Sequence, residues 1–145
     1  MTFRWPETVG ERLSLIWEGE GAASAMVEAA ARRYFELTGV LAAAYTLGVS
    51  PVLYRRTDRT DRGGGVLVGP AKVSVEIVDL RRRCAVMVLE WWAEERSGRA
   101  ELIWCWRGSD GRSMTIPEAA RIGILALDGQ RLPLRGAVFE RACSP

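Results

Sequence analysis

Apolar and polar positions alternate at the start of the chain and then change period. Leu13, Leu15 and Trp17 alternate with less apolar neighbours, which predicts a strand over 11–17. From Ala22 the apolar residues recur every three to four positions, with Met26, Ala30, Tyr34, Leu37 and Leu41 on one side. This spacing predicts a helix over 22–38. Its buried side is rich in alanine, so a sheet can approach the helix closely.

The second half of the chain has the pattern of an antiparallel sheet. A strand is predicted from Pro51 ("PVLYRRTDR"), and the glycines of 62–65 form a break after it. Three long strands follow, "AKVSVEIVDL", "CAVMVLEWWAEE" and "RAELIWCWR". Short turns, "RRR" and "RSG", join them, which favours a meander. The middle strand is apolar on both faces, as is typical of a central strand.

Shorter elements complete the prediction. "VLAAAYTLG" after Gly39 is predicted to form a short helix, and "EAARIGIL" after Pro117 a second one. The tail from Leu127 contains Gly, Pro and charges, and we expect it to be loosely held. The order of elements predicts an α+β fold in which one long helix is wrapped by an antiparallel sheet of about five strands. We expect a single domain over 1–145 with its core at about 11–126.

Composition narrows the functional classes. The chain has 145 residues, 48% of them hydrophobic and 26% charged, with a net charge of +2. This balance favours neither nucleic acid nor a membrane surface as partner. The apolar stretch 37–53 is too short to span a bilayer, and the N-terminal residues lack the apolar core of a signal peptide. Three cysteines without metal-type spacing predict reduced thiols in the cytoplasm, with no metal site and no cofactor.

The chain contains no histidine. Catalytic triads built on histidine, histidine general bases and histidine metal ligands are therefore excluded. Any catalysis has to use carboxylates, Arg, hydroxyls, Cys or backbone groups.

Two acids stand between the first strand and the long helix. Glu18 and Glu20 precede Gly21 at this junction. One interpretation is that they stabilise the positive end of the helix dipole, worth about 0.3–1 kcal/mol. The other is a catalytic carboxylate beside a helix N-terminus, where free amide groups can bind an oxyanion.

Several segments together resemble the hot-dog-fold acyl-CoA thioesterases, in particular the 4-hydroxybenzoyl-CoA thioesterase-like group. They are the strand ending in acids ("LIWEGEG"), the helix ("MVEAAARRYFELTGV"), the start of the second strand ("GVSPVLYRR") and the closing segment ("GRSMTIPEAAR"). The resemblance covers most of residues 11–122. It implies hydrolysis of an acyl-CoA or acyl-carrier-protein thioester.

The resemblance also implies site residues. It assigns Glu20 or Glu18 as nucleophile or general base, and the amides of Gly21 and Ala22 as donors to the thioester oxygen. Further substrate contacts are expected from the helix and from the second strand, at Ser24, Arg55, Arg56 and Arg59. We expect a homodimer or homotetramer that shares the site between subunits.

Two alternatives stay open. A hot-dog protein that binds acyl groups or serves in assembly without catalysis fits the shortened acidic link before the helix. A cone-shaped fold of the ketosteroid-isomerase type, with its helices ahead of all strands, is disfavoured by the strand at 11–18.

Overall fold

The structure is a computed structural model that describes residues 13–60, 66–94 and 96–129. Its elements, in chain order, are β1 (Leu13–Ala22), α1 (Ala23–Leu37), α2 (Val40–Leu47), β2 (Ser50–Thr60), β3 (Val66–Leu80), β4 (Cys84–Trp92), β5 (Ser97–Arg107) and α3 (Glu118–Asp128). None of the helices in these ranges is long and apolar enough to cross a membrane.

The five strands form one antiparallel sheet in the order β1-β3-β4-β5-β2. β3, β4 and β5 are the predicted meander, and β4 is the central strand. Its burial on both faces is what the continuous apolar run "CAVMVLEWW" predicts. β1 and β2 are the two edges.

Helix α1 packs its apolar side against the inner face of this sheet. Met26, Ala30 and Tyr34 are fully buried there, as predicted. The ring of Phe35 meets the ring of Trp104 of β5 edge-on, with 4.9 Å between centroids. A sheet wrapped around one alanine-rich helix is therefore confirmed.

Helices α2 and α3 close the C-terminal end of α1. The Tyr34 hydroxyl donates to Asp128 of α3 at 2.5 Å, and the same carboxylate oxygen accepts from the backbone N–H of Ile77 at 2.9 Å. Gly123 lets α3 lie against the C-cap residue of α1, because a Cβ at this position would overlap the backbone oxygen of Thr38. These contacts fix α3 against both α1 and strand β3 of the sheet.

The outer face of the sheet carries a second, smaller apolar cluster. Its members are Val78, Cys84, Val86, Val88 and Ile103, with Cys105 half-buried against them. Cys84 and Cys105 lie in β4 and β5, so the prediction of two cysteines in strands is confirmed. Cys143 lies outside the described residues.

Several element boundaries differ from the prediction, and three of the differences matter for the site or the core. β1 continues through Glu18 and Glu20 to Ala22, because every residue of this stretch has a register partner in β3. The link of paired acids is therefore part of a strand. β3 begins at Val66, ahead of the predicted segment. α3 runs to Asp128, beyond the start of the predicted loose tail, because Asp128 is buried and hydrogen-bonded. The remainder of that tail, like the predicted break at 62–65, lies outside the described residues.

Candidate functional site

A cavity of about 250 Å³ opens at the N-terminal end of α1. It lies between the start of the helix, the last residues of β2, and the ends of β4 and β5 that face them. Its lining residues are Ala22, Ala23, Ser24, Val27, Asp58, Arg59, Thr60, Trp91 and Arg99. Most of this surface is apolar, with a carboxylate, two guanidinium groups and the helix terminus around it.

The pleat of β2 decides which of its side chains face α1. Arg56 and Asp58 stand opposite Leu102 and Ala100 of β5, and both of these are buried in the inner core. Side chains opposite each other share a face of the sheet, so Arg56 and Asp58 face the helix. A register shift after Leu53 sets this alternation.

Arg56 joins β2 to α1. Its Nε donates to Asp58 Oδ2 at 2.7 Å and its Nη2 to Oδ1 at 3.1 Å, a two-pronged arrangement that fixes the orientation of the carboxylate. Its Nη1 lies 3.4 Å from Glu28 Oε1 on α1. Arg56, which the sequence predicted as a phosphate ligand, is therefore engaged by two acids. Asp58 keeps lone pairs for a further donor.

The N-terminus of α1 has no side-chain cap from its N-cap residue. Ala22 is the N-cap residue; it makes no side-chain cap hydrogen bond, and the first turn contains no acidic residue. The first four N–H groups of a helix have no partner within it. Gly21 has a φ of 155°, a conformation that L side chains rarely adopt, where the strand turns into the helix. The cavity therefore borders the positive end of the helix dipole, where the first amides have no partner within the helix.

The predicted site residues divide between this cavity and its surroundings. Ala22, Ser24 and Arg59 line it. Glu18 and Glu20 are exposed on edge strand β1, opposite Pro70 and Val68, and are not among the lining residues.

Gly21 adjoins the cavity through Ala22, whereas Arg55 stands on β2 opposite Ile103, a residue of the outer-face cluster. The catalytic and binding roles of the named residues stay predictions. Asp58 was not among the predicted site residues; the face on which it lies depends on the register shift in β2, which no local pattern shows.

Arg59 and Arg99 stand directly opposite each other on β2 and β5. Like charges in this arrangement repel each other. Within the described ranges no salt bridge involves either guanidinium. With Thr57 and Glu101 they also line a second depression of about 230 Å³ next to the cavity. Two adjacent cations beside the apolar cavity, on the outer face of the sheet, suit an anionic ligand.

Trp91 forms one wall of the cavity, and Gly98 makes room for it. A Cβ at Gly98 would lie 2.5 Å from the indole ring. Arg96 stands over the same ring, with its guanidinium carbon 6.0 Å from the centroid. Both contacts hold the indole in one position.

The described residues contain no group of three or more Cys, Asp and Glu that could hold a metal ion. Among the described residues, the charged residues that line the cavity are Asp58, Arg59 and Arg99. Strand pairing places the side chains of Arg59 and Arg99 on the outer face of the sheet, opposite to that of Asp58. This set suits an anion better than a cation.

Comparison with known proteins identifies the fold. No protein-family model and no curated protein sequence matches the chain. Among solved structures, a thioesterase from Thermus thermophilus complexed with coenzyme A and zinc is similar over 80% of this chain and 93% of its own, with 22% identity and a TM-score of 0.63.

Two other solved structures extend the comparison. A hypothetical protein from Staphylococcus aureus in complex with CoA is similar over 90% of this chain and 89% of its own, with 11% identity and a TM-score of 0.65. A 1,4-dihydroxy-2-naphthoyl-CoA thioesterase from Synechocystis is similar over 73% of this chain and 96% of its own, with 10% identity and a TM-score of 0.57. The predicted hot-dog fold is confirmed: the chain has the fold of these thioesterase structures.

Proposed function

We propose that the protein hydrolyses a thioester of an acyl group with coenzyme A, in the cavity at the start of α1. The observation that carries the proposal is this apolar cavity, which places a fixed carboxylate opposite an uncapped helix N-terminus. Structures of the same fold that are named as thioesterases, one of them complexed with coenzyme A, support it.

The start of α1 supplies the electrophilic half of the site. The thioester oxygen accepts hydrogen bonds from backbone amides at Ala22, Ala23 and Ser24, with the predicted Gly21 amide beside them. These donors and the helix dipole stabilise the negative charge that develops on that oxygen as the carbonyl carbon becomes tetrahedral. The apolar wall at Val27 and Trp91 receives the acyl group and excludes water from it.

A carboxylate supplies the other half. As general base it removes a proton from a water molecule whose oxygen attacks the carbonyl carbon; the C–S bond then breaks, and the departing sulfur takes up a proton. Glu20 is the predicted base or nucleophile, and Glu18, two residues earlier in β1, is the alternative. Asp58 is a third candidate, because it is the carboxylate that lines the cavity among the described residues.

The guanidinium groups of Arg59 and Arg99 distinguish coenzyme A from simpler thiols. Phosphate groups bind readily to arginine, since its planar fork matches their oxygens. We assign the phosphates of coenzyme A to this pair, with Arg55 as a further contact on β2. A carrier-protein thioester is the alternative substrate, and it places one phosphodiester near the same groups.

Edge strand β2 supports an assembly. It exposes Val52, Leu53 and Tyr54, whose side chains are 44%, 40% and 65% accessible, beside an unpaired strand edge. Exposed apolar edges of this kind promote association. We propose a C2 dimer, or a tetramer built from two dimers, in which a second subunit covers β2 and adds to the rim of the adjacent cavity.

The test is hydrolysis of a panel of acyl-CoAs, followed by detection of the released thiol. We expect turnover with at least one substrate. Replacing the catalytic carboxylate by its amide is expected to lower kcat roughly 10²-fold or more, the contribution of a positioned acid or base. The variants are Glu20→Gln, Glu18→Gln and Asp58→Asn. Glu36→Gln is the matched control, because Glu36 lies at the other end of α1 in surface ion pairs.

The three variants separate the candidates. Loss of activity in Glu20→Gln alone supports the predicted base; loss in Asp58→Asn alone moves that role to β2. Retention of full activity by all three excludes a carboxylate mechanism at this cavity.

Binding of acyl groups without catalysis is the second candidate function. It is favoured by one observation: the two glutamates predicted as catalytic do not line the cavity. A chain that binds acyl-CoA saturably in calorimetry, and hydrolyses no member of the panel, has this function.

A further inference from the structure

Two cysteines face each other across strands β4 and β5. Cys84 is the register partner of Cys105 in the antiparallel pairing. One step further along, the N–H of Trp106 donates to the carbonyl of Arg83 at 3.0 Å. Hydrogen-bonded and non-hydrogen-bonded pairs alternate along an antiparallel ladder. The two cysteines therefore occupy a non-hydrogen-bonded position.

This position brings the two thiols together. Directly opposed residues at non-hydrogen-bonded positions have Cα atoms about 4.5 Å apart, which is inside the range of about 4.4–6.8 Å found for disulfides. Cys84 and Cys105 both point to the outer face, where they pack on the same cluster. Their side chains are close enough to form a hydrogen bond with each other.

The two thiols differ in accessibility. Cys84 is 2% exposed, whereas Cys105 is half-buried. Burial, and then the neighbouring Cys84, raise the pKa of the Cys105 thiol, while the charge of Arg107 works in the opposite direction. Because Cys105 is the more exposed of the two, an oxidant from solution reaches it first, and Cys84 is placed to react with the product.

We propose that Cys84 and Cys105 form a modification site that hydrogen peroxide closes into a cross-strand disulfide. The Cys105 thiolate attacks one peroxide oxygen and becomes a sulfenic acid, and hydroxide leaves and is protonated to water. The Cys84 sulfur then attacks the sulfenic sulfur and loses its proton, and a second water leaves. In total, two thiols and one peroxide give one disulfide and two waters.

The proposal is independent of the thioesterase function. Cys84 begins β4, and the cavity residue Trp91 lies seven positions further along the strand, at its other end. A disulfide at this place joins two strands that are already paired, so it leaves the cavity unchanged. Its effect falls on the unfolded chain, which loses conformational freedom when the bond closes a loop.

The experiment uses the full-length chain with Cys143→Ser, so that each molecule holds only the two thiols in question. After treatment with hydrogen peroxide, tryptic digestion without reductant releases residues 84–96 and residues 100–107 as separate peptides if the thiols are reduced. We expect these peptides to be joined, with the loss of two hydrogen atoms, and to separate after addition of dithiothreitol. The oxidised monomer should melt roughly 5–10 °C above the reduced one.

Matched variants lacking either thiol provide the control. Cys84→Ser and Cys105→Ser, each combined with Cys143→Ser, are expected to show no oxidation-dependent rise in melting temperature. Where a variant does not fold, the peptide map of the wild type still decides, since Cys143 falls in a separate peptide, 142–145. Overoxidation of Cys105 to sulfinic acid without linked peptides, or linkage only between chains, overturns the proposal.

Discussion

The two ends of α1 differ in how their backbone groups are satisfied. At the C-terminal end, the N–H groups of Thr38 and Gly39 donate to carbonyls of the last turn. Helix α3 packs over this end, and Asp128 ties it to the sheet. At the N-terminal end, the N-cap residue Ala22 makes no side-chain cap hydrogen bond, and a cavity borders the first turn.

We infer that the closed end of α1 contributes to the stability of the fold, whereas the open end is available for binding. Each missing cap costs about 0.5–2 kcal/mol, and the closed end of the molecule offsets this cost through burial and hydrogen bonds. The open donors remain available to a ligand. Mutations at the closed end are therefore expected to change the free energy of unfolding, and mutations at the open end to change binding and turnover.

The largest expected effect comes from filling the contact between α3 and α1. Gly123→Ala places a methyl group where the carbonyl oxygen of Thr38 lies, so α3 has to move away. We expect the free energy of unfolding to fall by about 3 kcal/mol, although alanine otherwise favours a helix over glycine by about 1 kcal/mol. Urea denaturation measures the change.

The control for this prediction is the reverse substitution on the exposed side of the same helix. Ala126→Gly removes a methyl group from solvent and is expected to cost no more than about 1 kcal/mol. Equal stability of Gly123→Ala and the wild type would contradict the close contact of α3 with the C-cap residue of α1.

Sequence patterns predicted the closed, apolar part of the molecule well. Tyr34 and Ala30 fall on a helical face of regular spacing, and β4 is a continuous apolar run, so both burials follow from the residues alone. These elements are fixed by the hydrophobic effect, which acts through patterns that can be read locally.

The site was less predictable, because it depends on pairing between distant segments. Glu18 and Glu20 resemble a polar link, and only their pairing with β3 shows that the strand continues. The inward face of Asp58 is set by the register shift after Leu53. Asp128 bonds to a tyrosine 94 positions away in the chain. No local pattern contains this information.

A second prediction concerns the two arginines at the open end. Arg59→Ala and Arg99→Ala each remove a cation beside the cavity. We expect each to raise KM for acyl-CoA roughly 10-fold, as expected for loss of about 1.4 kcal/mol of binding, with kcat nearly unchanged. Steady-state kinetics with the best substrate of the panel measures both constants.

A substrate without phosphates sharpens this prediction. For the same acyl group on N-acetylcysteamine, we expect the arginine variants and the wild type to have equal KM values. Arg112→Ala is the matched control, because Arg112 is an exposed arginine paired with Asp110 away from the cavity. An equal rise of KM for both thioesters would mean that the arginines shape the cavity and do not bind phosphate.

The smallest expected effect tests the open helix end directly. Ala22 has the extended conformation of an N-cap residue, with φ −68° and ψ 146°, but no side-chain acceptor. Ala22→Asp supplies a carboxylate that accepts from the free amides and favours the helix dipole. We expect it to stabilise the fold by about 0.5–2 kcal/mol and to lower kcat, because the same donors are then occupied. Thermal unfolding and thioester hydrolysis are measured on one preparation. Ala29→Asp, beyond the first turn of the same helix, is the control for added charge. A variant at Ala22 that gains stability and keeps full turnover would show that the helix N-terminus takes no part in the reaction.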